Sequence, residues 1–290
     1  MRVKQRVACV RIPSFPIGAV WLYATPHDAG NAPAAVPAPH WDEQPLALRD
    51  GPRLRAVTAA AARTHVRAGM TIAEAKSRCA ALDVRAWDDV CVSRELARTS
   101  AAFLAASPQV APATGAPGTW WIGATGFDGL GGERMLADTL QRMARVWHPQ
   151  ARVAIADSCV VARAATWRIT DDRRRMTDDG RERTADSVER TAYSIVCPGS
   201  DASYLAPLPL SLIPMDAEIR DALVALGLGT CGALAALASG DVERRWGAAG
   251  LQAWRLAQGI DARRATLARS TQPRQAHAEL AMSTTSTEPV

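Results

Sequence analysis

Apolar positions along this chain switch repeatedly between a strand-like and a helix-like period, and the switches read as a mixed α/β order. The run VKQRVACVR, residues 3–11, is apolar enough for a buried strand. Ile12-Pro13-Ser14-Phe15-Pro16 ends it, because proline cannot continue a central ladder. A helix packed under that sheet is expected over 17–23. Residues 24–45, rich in Pro, Ala, Gly and Asn, read as a loop longer than a compact connection needs. A hairpin or strand pair over 46–57 leads into RAVTAAAARTHVRAGMTIAEAKSRCA, residues 55–80, which reads as two helices around a sharp turn. The first, 56–63, is nearly all alanine. The second, 71–80, opens on Thr71 with Glu74 three residues on, a capping box. Gly69 sits where the turn needs positive φ.

The pattern continues with a short strand at 82–86 and a helix at 92–106 that Ser107-Pro108 stops. Trp120-Trp121-Ile122 is a strand, 133–146 an amphipathic helix with Met135, Leu136, Leu140, Met143 and Val146 at helical spacing, and 151–156 a further strand. A turn at Asp157-Ser158-Cys159 enters a helix at 160–167. Residues 170–190 mix charges of both signs with one Met and one Val, so they cannot bury a core and read as a solvated insertion. A short strand at 193–198 and a proline-broken connector at 205–214 follow. Helices at 216–226, 229–237, 239–246 and 251–257 close a small bundle, and the Ser/Thr-rich tail over 263–290 is expected to be disordered.

Composition narrows the function classes. With 48% apolar and 22% charged residues in 290, the chain is of the globular class and long enough for about two domains. No apolar run is long enough to span a bilayer, so a cytoplasmic protein is expected. The six cysteines are scattered, without a C-x-x-C pair or a histidine at ligand spacing, so free thiols and no metal or other cofactor are expected. A net charge of +5, carried mostly by arginine, is compatible with nucleic acid and equally with ordinary solubility.

Several stretches carry a resemblance. A-x-x-x-A-R followed by V-R-A-G-M-T-I-A-E-A-K, the Trp120 strand followed by Thr125-Gly126 and Leu130-Gly131-Gly132-Glu133, and L-G-L-G-T-x-G-x-L at 226–234 together resemble Y-family DNA polymerases. They are most similar to the non-catalytic mutasome subunits of the ImuB type. The resemblance implies an α/β (α+β) fold. A palm would come from 1–22 and 86–168, a fingers-like unit from 23–85, a polar insertion and return strand from 169–200, and a helical thumb, helix-hairpin-helix-like, from 201–262. In the family, carboxylates on the palm strands hold two metal ions. At the matching positions this chain has Arg11, Pro13, Gly118, Thr119 and Gly123. An arginine in a magnesium ligand's place repels the metal and could attract an anion; it could also be a strand-end residue facing solvent. Family phosphate contacts thin out likewise. Ala59 or Ala60 stands for a tyrosine, Asp157 and Cys159 for lysines, and Ile213-Pro214-Met215 for a glycine hairpin.

The resemblance thus implies a polymerase-shaped scaffold without catalysis, acting in error-prone damage tolerance and associated with the nucleoid when acting. Its implied partners are primer–template or single-stranded DNA, an ImuA-type protein and a replicative-type error-prone polymerase. Candidate DNA contacts are Arg63, Arg67, Arg163, Gly227, Gly229, Thr230, Arg263 and Arg264. The little finger and sliding-clamp peptide of full-length relatives do not fit in the last 30 residues, which puts clamp recruitment in doubt. A DNA-binding module without a mutasome role and a residual polymerase with relocated metal ligands remain as alternatives.

Overall fold

Val7–Arg11 forms β1, buried from Val7 to Val10 because it is the middle strand of the larger sheet. A computed structural model describes residues 5–24, 40–167 and 193–261. The predicted insertion at 170–190, most of the predicted loop at 24–45, and the tail with Arg263 and Arg264 lie outside the described residues. After β1 come α1 (Phe15–Ala24), α2 (His40–Glu43), β2 (Leu46–Asp50), β3 (Arg53–Val57), α3 (Ala59–Arg63), α4 (Ile72–Arg78) and β4 (Asp83–Ala86). Then follow α5 (Asp89–Phe103), β5 (Val110–Pro112), β6 (Thr119–Gly123), α6 (Gly132–Arg145), β7 (Arg152–Ala156) and α7 (159–167). The last elements are β8 (Tyr193–Ile195), α8 (Asp201–Leu205), α9 (Ala217–Ala225), α10 (Cys231–Ala235) and α11 (Ser239–Ala257).

The larger sheet has the order β5-β6-β1-β7-β8, with β1 antiparallel to both β6 and β7 and with β8 parallel to β7. Side chains alternate between its two faces. Ala8 and Val10, with Trp120, Ile122, Val153 and Ile155, meet Phe103 of α5 and Leu136 and Leu140 of α6. Trp120 is fully buried there, edge-on to Phe15 and Phe103, and its indole N–H donates to Ser100 Oγ at 2.9 Å. Val7 and Cys9, with Ala154 and Ala156, face α7 and continue into Leu205, Leu223, Leu234 and Leu256. The sheet and the C-terminal bundle therefore share one core.

The smaller sheet, β3-β2-β4, is apolar on both faces of β2. Ala47 packs with Ala61, Val66 and Ala75, whereas Leu46 and Leu48 pack with Ile17, Val20 and Val92. The expected hairpin and turn are present, with Gly69 at φ 89°. Side-chain caps move several boundaries from where the sequence pattern puts them. The alanine helix starts at Ala59, not 56, because Thr58 Oγ1 accepts the Ala61 N–H and Ala56 and Val57 stay paired in β3. Thr71 caps α4, but the Glu74 carboxylate binds Arg78 at 3.0 Å, so half of the capping box forms. α5 begins three residues early because Asp88 accepts the Val90 and Cys91 N–H groups. The two helices expected after 239 are present, joined through a break at Gly247 (φ 60°, ψ −153°), a non-helical conformation that only glycine takes readily.

A buried polar contact joins the smaller sheet to the larger. Asp42 Oδ2 of α2 lies 3.2 Å from His148 Nε2, in the turn after α6, and Asp42 Oδ1 accepts the Ala59 N–H at 3.1 Å. Burial alone would raise the Asp42 pKa. Hydrogen bonds from His148, the Ala59 N–H and Ser14 hold it below the ordinary value. Because the folded pKa is depressed, this carboxylate stabilises the fold above its unfolded pKa, and the gain is lost as pH falls through the folded value. We expect Asp42→Asn to cost on the order of 2 kcal/mol at neutral pH. Urea unfolding over a pH series should show variant and wild type converging in acid; parallel curves down to about pH 2 would refute the linkage. Among the described residues no helix is long and apolar enough to cross a membrane.

Candidate functional site

Strand register sets the site. Arg11, at the end of β1, lies directly opposite Thr119 of β6 on one side and Arg152 of β7 on the other. Directly opposed residues of antiparallel strands point to the same face, so these three form a row two residues beyond Cys9. This is the face that α7 covers. Arg11 does not face solvent as a strand-end arginine would. Its guanidinium lies 4.0 Å from the centre of the Trp167 ring, and Nη2 donates to the Thr166 carbonyl at 3.3 Å. Both partners are on α7. Burial lowers the Arg11 pKa, Cys9 opposes that, and the nearby Arg163 guanidinium adds to the lowering. It stays a cation all the same, since arginine titrates far above neutral pH. The Cys9 thiol beneath the row is pushed up to about 12 by burial, against the pull of Arg163 and Arg11, so it is an inert core thiol.

Of the other four positions that the resemblance assigns to a metal site, Thr119 is in this row, Gly118 and Pro13 are near it along the chain, and Gly123 is at the other end of β6. Gly118 immediately precedes β6, and its carbonyl accepts the Ile12 N–H at 2.7 Å. Its φ is +95°, and a Cβ there would lie 2.7 Å from both Ile12 O and Phe15 Cβ, so no side chain fits. Thr119 is buried. Gly123, at the far end of β6, faces the Gln109 side chain, which a Cβ would overlap. Pro13 lies in the turn between β1 and α1. A two-metal site needs several carboxylate oxygens converging on hard cations. This row instead supplies two guanidinium groups, one hydroxyl and one position without room for a side chain, so it does not fit a pair of magnesium ions. Among the described residues no group of three or more His, Cys, Asp or Glu side chains could hold a metal ion.

The predicted DNA contacts are dispersed. Arg63 ends α3 and is exposed. Arg67 donates to the Ala62 and Val66 carbonyls at 2.6 and 2.9 Å, so its guanidinium closes the turn after α3. Arg163 is on α7 beside Arg11. Gly227, Gly229 and Thr230 lie in the turn between α9 and α10, with Gly227 at φ +78° and open space around both glycines. That turn is braced from behind: Leu210 N–H donates to Gly229 O, and Thr230 Oγ1 accepts the Ala233 N–H. Ile213 and Pro214 run extended into Asp216, the residue before α9, and Glu218 follows in its first turn. Acids at a helix N-terminus disfavour a phosphate there.

A second polar cluster escaped the sequence reading. Arg6, nearly buried, donates to both Glu133 oxygens, to Asp157 Oδ1 at 2.7 Å and to the Val196 carbonyl at 2.7 Å. Burial would lower its pKa, but hydrogen bonds to Glu133 and Asp157 outweigh that and raise it. Asp157 Oδ2 accepts the Gly199 N–H, Ser158 Oγ donates to Asp201, and Asp261 accepts the Val160 N–H. Burial raises the Asp201 pKa, with the Ser158 hydrogen bond opposing it. Asp157 does sit on the predicted turn, but it is held by a cation 151 positions away. No local pattern announces a partner at that distance.

No protein-family model matches the sequence, and no curated protein matches it either. Solved structures do. DinB from Sulfolobus solfataricus is similar at a TM-score of 0.59 and 13% identity, over 88% of this chain and 67% of that one. A Dbh ternary complex gives 0.62 and 14%, over 89% and 68%. A DinB family error-prone DNA polymerase from Sulfolobus solfataricus gives 0.61 and 13%, over 88% and 66%. The chain thus spans about two thirds of each neighbour and has the fold of Y-family DNA polymerases.

Proposed function

We propose that this chain is a polymerase-shaped scaffold that performs no nucleotidyl transfer and acts in error-prone DNA damage tolerance, in the manner of ImuB-type subunits. One observation supports the reading: Arg11 and Thr119, at positions the resemblance assigns to the family's carboxylates, lie in one row with Arg152, beside a Gly118 that has no room for a side chain. Arg11 does a different job there, tying β1 to α7 through Thr166 and Trp167. The scaffold would hold DNA, partner proteins or both. The protein partners would be an ImuA-type protein and a replicative-type error-prone polymerase, and the site of action would be the nucleoid. The fold supports DNA contact, since the neighbouring structures include ternary complexes of a polymerase. Arg63, Arg163 and the hairpin at Gly227, Gly229 and Thr230 are the candidate contacts among the described residues, with Arg67 reduced by its turn-closing bonds.

The test is binding and extension of a labelled primer–template by the purified protein, with and without Mg²⁺ and nucleotides, over a salt series. We expect no extension with either Mg²⁺ or Mn²⁺. We expect affinity to fall with salt by a shallow slope, because few phosphates are neutralised. Extension that copurifies with the protein and is abolished by Arg11→Glu would overturn the reading.

A further inference from the structure

We infer that the solvent face of α9 is a protein-docking surface for a basic amphipathic helix. The inference rests on the partner-holding half of the proposed function and gives that half a location. On α9, Ile219 and Leu223 turn into the shared core. The opposite face carries Glu218 and Asp221, then Val224, and leads to Leu226 at the mouth of the hairpin, all exposed. Val224 and Leu226 expose 54% and 55% of their surface, which places two large exposed apolar side chains at the C-terminal end of α9. Positions 218, 221 and 224 follow helical spacing, so acid grades into apolar along one stripe.

Charge decides what this stripe fits. Between Asp201 and Asp261 there are seven acids and four arginines. From 40 to 86 the balance is reversed, with seven arginines and a lysine against five acids. A nucleic-acid grip needs cations to replace released counterions, and this face presents carboxylates together with apolar side chains. The complementary partner has lysine or arginine at one end of a helical stripe and leucine-like side chains at the other. The pairing would run as a helix against a helix face, with the apolar end supplying the buried anchors.

A fluorescent Lys/Leu amphipathic helical peptide tests this on the full chain by anisotropy, beside a Glu/Leu counterpart and a Lys/Leu peptide of the same composition with scrambled periodicity. The expected result is binding of the first alone. The paired reversal Glu218→Lys with Asp221→Lys, and separately Val224→Ser with Leu226→Ser, should each weaken it about tenfold. Asp83→Lys, on β4 of the smaller sheet, should leave it unchanged. All substituted side chains are exposed, so circular dichroism and melting should match wild type. Amide shifts on titrating the wild-type protein should map to residues 217–228, which reads the site without any variant. Equal binding of all three peptides, shifts elsewhere, or variants that bind as wild type overturn the inference. So does a reversal that changes only DNA affinity. Salt-sensitive DNA binding alongside a failed peptide test would remove this face and leave the scaffold standing.

Discussion

Arg6→Met should be among the most damaging single substitutions in this protein. It removes one guanidinium and leaves Glu133 and Asp157 facing each other in a site where they expose only 24% and 18% of their side chains. Leaving partly buried carboxylates without their cation costs on the order of 3 kcal/mol, toward the low end for buried pairs because some water reaches them. For a chain of this size that lowers the melting temperature by roughly 10 °C. The cost should be mostly the stranded acids rather than the lost contact. Arg6→Met combined with Glu133→Gln and Asp157→Asn should therefore recover part of the stability, as a thermal or urea melt of the three proteins (wild type, single and triple variant) will show. A triple variant less stable than Arg6→Met alone would mean that the cluster acts through something other than stranded charge.

Restoring a carboxylate at position 118 should break the fold rather than rebuild a metal site. Gly118→Asp forces a non-glycine residue to φ +95° and drives its Cβ to 2.7 Å from the Ile12 carbonyl and Phe15 Cβ. The conformation alone costs about 1–3 kcal/mol, and the overlap adds a further strain of about 1–3 kcal/mol. Gly118→Ala should lose most of the same stability, which separates backbone and space from charge. Urea unfolding of both variants gives the comparison, and primer extension by Gly118→Asp with Arg11→Asp should stay at background. If Gly118→Asp melted with wild type, the close approach of residues 12 and 118 would not be the constraint described.

The elements were largely legible because period and punctuation agree over them. β1 is a short apolar run ended by prolines, α6 has Met135, Leu136, Leu140 and Met143 at helical spacing, and the turn at Gly69 has the one residue its φ requires. The polymerase resemblance came from such stretches, and the fold bears it out. Boundaries were missed where a side chain decided them, as with Thr58 and Asp88 capping. The row on β1, β6 and β7 was half legible. Arg11 and Thr119 could be placed from the motifs, but Arg152 entered only through strand register. Arg6 with Glu133, and Asp42 with His148, were illegible, because each joins positions more than a hundred apart through geometry that the chain reveals only once folded.

The core that runs unbroken from Val7 and Cys9 through α7 to Leu223 and Leu256 bears on how the molecule opens. Elements that bury one another's apolar surface cannot unfold separately at low cost. Amide protons of β1, α7 and α11 should therefore exchange with deuterium at one common rate set by global unfolding. The smaller sheet has its own apolar cluster around Ala47 and Leu54, but Leu46 and Leu48 also bury against α1 and α5, so faster local opening should be confined to α3, α4 and the turn at Gly69, which pack on the first cluster. A polymerase whose thumb moves against its palm would show the opposite grouping. In this protein the C-terminal bundle belongs to the slowly exchanging half with β1, and the helices around Gly69 to the faster one.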